Sequence, residues 1–67
     1  MNELTRMRCR KAIIRRRREL LTWVEVAKKE GMSLASIRMY RESDEGKEFI
    51  AKVDKEISNE ELYGRLP

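Results

Sequence analysis

Apolar positions along this chain recur at helical spacing, and no stretch alternates in the manner of a strand. Ile13 and Ile14 return one heptad later as Leu20 and Leu21, with Arg17 between the pairs and Arg10 one heptad before. The pattern predicts a helix over 12–21. It also predicts a basic arm over 1–11, with helix open to it but only weakly ordered without a ligand. Thr22-Trp23-Val24-Glu25 fits a capping box, and Leu21 with Val26 fits a hydrophobic staple. A second helix therefore spans 23–30 and stops before Gly31, a residue suited to a left-handed helix end. Ser33 is an N-cap for a third helix over 34–42, centred on Ile37 with Leu34 and Tyr40 on the same side. Its opposite face carries Ala35, Arg38, Met39 and Glu42. Ser43 to Gly46 reads as a break. Phe49, Ile50, Val53 and Ile57 then mark a fourth helix over 46–57. A capping pattern at Ser58 to Glu61 opens a short turn over 59–63, and 64–67 is tail. The expected fold is all-α: a compact bundle of three to four helices, 12–63, behind a basic N-terminal arm.

Composition narrows the chemistry. Sixty-seven residues allow one domain, and with 42% charged and 40% apolar residues its core is small. There is no His, and Cys9 is the one cysteine. A disulfide framework and the usual zinc sites are thereby excluded, and no cofactor or metal is expected. Without His or a Gly-rich phosphate loop, the chain is not expected to be an enzyme. No run approaches the ~18 apolar residues of a membrane span, and there is no signal-peptide core; a cytoplasmic protein is expected.

The net charge of +4 is placed unevenly. Residues 1–21 carry eight Lys/Arg against Glu3 and Glu19, whereas 44–67 carry four basic and seven acidic groups. From Leu4 to Arg18 there is no acid. Such asymmetry is the electrostatic footprint of a nucleic-acid binder. Arg15 to Arg18 span most of a helix circumference, so they cannot all face one groove, and one must bury its stem.

Two short helices on a Gly turn have a helix-turn-helix spacing. Ala27, Gly31 and Ile37 stand at the spacing of the small, glycine and aliphatic positions of the helix-turn-helix DNA-binding superfamily, which this segment resembles. Val26, Met32 and Tyr40 fall at its other core positions. Glu30 departs from the pattern, standing where an apolar residue is usual, and is expected to swing to solvent. With Phe49 to Ile57 included, the chain is also similar to small phage DNA-binding proteins. These are regulators, excisionase-type proteins and the N-terminal part of small terminase subunits.

The resemblance implies a recognition helix over 34–42 lying in the major groove. Ser33, Leu34, Ala35, Arg38, Met39 and Glu42 would then face bases. Arg38 suits guanine, Ala35 and Met39 suit thymine methyls, and Glu42 suits cytosine. Phosphates would be met by Thr22, Trp23, Ser36 and Arg41, with Trp23 serving mainly as a core lid. The arm adds Arg6, Arg8, Arg10, Lys11, Arg15, Arg16 and Arg18. About five such contacts give a salt slope near −4.5. The expected partner is double-stranded DNA, with a homodimer or higher assembly possible. The expected role is transcriptional regulation by operator occupancy. A terminase or excisionase role, an arginine-rich RNA-binding helix over Thr5 to Glu19, and a protein-binding module using the acidic fourth helix remain open alternatives.

Overall fold

Asn2 begins the first helix. Its side chain accepts a hydrogen bond from the Thr5 amide at 2.8 Å, and Glu3 places negative charge in the first turn. In the computed structural model, which describes residues 1–63 and side chains over 1–58, four helices follow one another. They are α1 Glu3–Glu19, α2 Trp23–Glu30, α3 Leu34–Glu42 and α4 Asp44–Tyr63. The described residues contain no strand. No helix among them is long and apolar enough to cross a membrane.

The arm is the first point of correction. Residues 3–11 belong to α1, and the reason is Cys9, which is wholly buried. Cys9, Ala12 and Ile13 form the inward stripe at spacings of three and four, so the core-facing side of α1 begins ahead of Ala12. The stripe expected from Ile14 and Leu20 is correspondingly wrong. Ile14 is 38% exposed and Leu20 is 82% exposed. Leu20 ends α1 in the left-handed region, with φ 57°, and only Leu21 packs inward.

Helices α2 and α3 fall where the sequence puts them. Thr22 and Glu25 complete the capping box, with Thr22 N donating to Glu25 Oε1 at 2.9 Å and Glu25 N to Thr22 Oγ1 at 3.1 Å. Gly31 takes φ 64°. Around it, Met32 N donates to Ala27 O at 2.9 Å and Gly31 N to Lys28 O at 3.2 Å, the paired bonds of a Schellman end. Ser33 then caps α3 by accepting from Ser36 N at 3.1 Å.

The break expected at 43–46 shrinks to one residue. Ser43 closes α3 and opens α4: its hydroxyl donates to Tyr40 O at 2.6 Å and accepts from Gly46 N at 3.0 Å. Helix α4 begins at Asp44, so Gly46 lies inside its first turn. A Cβ there would collide with the Tyr40 carbonyl. The short turn expected at 59–63 is continuous with α4. The tail at 64–67 lies outside the described residues.

Two adjoining clusters make the core. Ala12, Val26, Ala27 and Ile37 form one; Cys9, Ile13 and Tyr40 form the other, with Phe49 and Ile50 against it. Trp23 and Met32 touch both clusters. Val53 and Ile57 are buried further along α4. Burying Val26 or Ile37 contributes about 1.5–3 kcal/mol each relative to exposure. Leu34, expected to share the inward side with Ile37, is instead 42% exposed.

Candidate nucleic-acid interface

Helix α3 is short enough that the core uses only one side of it. Ile37 and Tyr40 point in, and the positions between them point out. Ser33, Leu34, Ala35, Arg38, Met39 and Glu42 are all exposed. Leu34, Ala35, Arg38, Met39 and Glu42 line one shallow depression of about 440 Å³. The structure therefore brings together five of the six residues assigned to bases. Ser33 stands beside them, its hydroxyl donating to Ser36 Oγ at 2.9 Å while it caps the helix.

Within this face Arg38 Nε lies 3.4 Å from Glu42 Oε1, with side chains 73% and 69% exposed. An exposed i,i+4 pair of this kind contributes little, so Arg38 can exchange Glu42 for another acceptor at small cost. Met39 is 65% exposed, an apolar side chain that the fold leaves unused.

The residues assigned to phosphates do not form one set. Trp23 sits at the start of α2 between two guanidinium groups, Arg16 at 4.2 Å and Arg41 at 4.1 Å from the ring centroid. These stacks fix Arg16 of α1 and Arg41 of α3 beside the N-terminus of α2. Thr22 spends both its hydroxyl and its backbone N–H on the capping box. The hydrogen bond from the Thr22 backbone N–H, then the one involving its side chain, hold the Glu25 carboxyl below its usual range. Ser36 is half-buried, and its carbonyl accepts from the Cys9 thiol at 3.8 Å.

Arg6, Arg10, Lys11 and Arg15 engage carboxylates of the same chain. Arg6 pairs with Glu3 and, at 3.3 Å, with Glu45; Arg10 meets Glu3 at 3.4 Å and Glu45 at 3.5 Å. Arg15 pairs with Glu30 at 3.1 Å and Glu19 at 2.9 Å, which raises its pKa further, Glu30 acting more strongly. Lys11 reaches Glu30 at 3.8 Å, and Arg8 donates to the Glu30 carbonyl at 3.0 Å. Arg17, not assigned a contact, pairs with Asp54 at 3.5 Å. Arg18 is exposed.

Glu30 is the residue that sequence reasoning misplaced. Its side chain is 9% exposed and lies under Lys11 and Arg15 instead of swinging to solvent. A buried carboxylate is retained where cations compensate its lost hydration. The chain supplies two, fifteen and nineteen residues away, a separation at which no local pattern reveals the pairing.

No family model, curated protein or solved structure matches the chain.

Proposed function

We propose that α2, the Gly31 turn and α3 act as a helix-turn-helix and that the protein binds double-stranded DNA sequence-specifically, without catalysis. The observation that carries this reading is the outward face of α3. A nine-residue helix anchored by Ile37 and Tyr40 leaves Leu34, Ala35, Arg38, Met39 and Glu42 together and exposed. That mixture of a guanidinium, a carboxylate and small apolar groups is what base edges in a major groove discriminate. Arg16 and Arg41, stacked on Trp23 at the start of α2, supply positive charge for phosphates beside it. The role that fits is occupancy: a small regulator whose presence on an operator blocks or recruits other proteins.

The folding of α1 changes the electrostatic part of the proposal. With Arg6 and Arg10 tied to Glu45 and with α1 packed through Cys9, the N-terminal cations do not act as an extended arm. An RNA-bound arginine-rich peptide that folds on its target is a poorer description for the same reason.

Selection from a random duplex library at about 150 mM salt tests the proposal. An enriched motif is expected, and Arg38→Gln should relax it at one base pair, by about 1–3 kcal/mol. A palindromic motif fits a dimeric regulator, and a tandem repeat fits a terminase-like or excisionase-like assembly. Retention with no motif would overturn the assignment of α3.

A further inference from the structure

The cations of α1 stand on different sides of the helix. Cys9, Ala12 and Ile13 face the core, and the Cys9 thiol touches the Ser36 carbonyl of α3. At about 100° per residue, Lys11 and Arg18 lie on the far side of α1, directly away from α3. Arg8 and Arg15 lie on the shoulder toward α2, where both meet Glu30. The four follow spacings of three, four and three residues and form one row about 15 Å long.

Glu30 underpins this row, binding Arg15 and Lys11 through its carboxylate and Arg8 through its carbonyl. Lys29 extends it, 3.5 Å from Glu19. Five cations thus surround two carboxylates, one of them covered. Lys11, Arg15 and Arg18 border an open groove of about 660 Å³ whose floor includes Met7 and Ile14.

A duplex lying along α3 meets one side of a body only 24 × 17 Å in cross-section; Lys11 and Arg18 lie away from that side, and Arg8 and Arg15 stand on the α2 shoulder between. We propose that the row is a second contact surface, for the phosphate backbone of a separate duplex DNA segment, so that one molecule bridges two duplexes. This inference rests on the α3 reading for the first segment. The second needs no base recognition: a duplex carries about nine charges over 15 Å, and carboxylate-held arginine presents its remaining N–H groups in a fixed plane.

The test uses two short duplexes of unrelated sequence, one carrying a donor and the other an acceptor fluorophore. Binding to one duplex is followed by anisotropy and bridging by energy transfer. Wild-type protein should produce transfer. Lys11→Gln/Arg18→Gln should leave intact the sequence preference with which α3 binds a single duplex, since neither side chain is on the α3 face. It should weaken bridging by about tenfold or more and flatten its salt slope by about two. Both positions are exposed, and Lys11→Arg/Arg18→Lys should restore bridging in the same fold.

Anisotropy without transfer in the wild type would overturn the inference. So would transfer that survives in the double Gln variant, which would indicate a dimer bridging through two α3 faces. A double Gln variant that loses sequence-specific binding of a single duplex would also overturn it, because the row would then serve the first duplex. Uptake on the row of a structured RNA hairpin or an acidic polypeptide, with no second duplex, would do the same. The α3 reading fails separately, if Arg38→Gln leaves sequence preference intact while bridging persists.

Discussion

The α2–α3 and α3–α4 junctions both depend on glycine, for opposite reasons. Gly31 is needed for its backbone: it holds φ 64°, and a Cβ there would find nothing closer than the Arg8 side chain at 3.9 Å. Gly46 is needed for its emptiness: it is ordinary helix, but α3 turns so sharply at Ser43 that the Tyr40 carbonyl occupies the place of a Cβ. The first junction is a matter of torsion and the second of contact. The first can relax by rotating a few bonds; the second can relax only by separating two helices.

The contrast is broken most forcefully at Gly46. Gly46→Ala should cost about 3 kcal/mol, the upper end of what overpacking does, because backbone rather than a side-chain tip must move. Chemical denaturation would measure it, and a loss below about 1 kcal/mol would show that α4 shifts freely on α3.

A matched pair sharpens the torsional half. Gly31→Ala should cost about 1–2 kcal/mol, the left-handed penalty for an L-residue. Leu20 already bears that penalty at φ 57°. Since its side chain is 82% exposed, Leu20→Gly should stabilise the fold by about 0.5 kcal/mol, the relief exceeding the added chain entropy. If thermal melts move both variants in the same direction, positive φ is not what governs stability at these two helix ends.

The smallest effect concerns the cap that precedes the first junction. Glu25 titrates below the ordinary 4.5 because it accepts from Thr22. A lowered carboxyl contributes its stability above the unfolded pKa and loses it as pH falls through the folded value. Wild-type melting temperature should therefore drop on acidification below 4.5, and Glu25→Gln should flatten that limb. Parallel acid limbs in the two proteins would place the acid sensitivity elsewhere.

The junctions also show what could be read along the chain. Capping and helix-end chemistry is local, so Thr22, Glu25, Gly31 and Ser33 announced α2 and α3 within their own few residues. Ile37, Val26 and Ala27 followed from the same frame. The α1 core side was obscured because Cys9 and Ala12 are small and sit among arginines, while the larger Ile14 and Leu20 drew the stripe to the wrong side. Gly46 looked like a break because glycine commonly marks one; its close approach to Tyr40 is a tertiary fact. The outward face of α3 was legible as the complement of Ile37. The division of α1's cations was not, since it depends on Glu30 and Glu45, carboxylates that meet α1 only after folding.

Cys9 carries one more consequence. It is a wholly buried thiol whose ionisation is opposed by burial, against the pull of Arg10 and Arg8. A thiol reagent can reach it only when α1 lifts from α3, and the thiolate that reacts is scarcest in the closed state. Its labelling rate is therefore a clock for that opening, built into the chain at a single atom. Read with and without a bound partner, it would time how firmly each face of the molecule holds α1 in place.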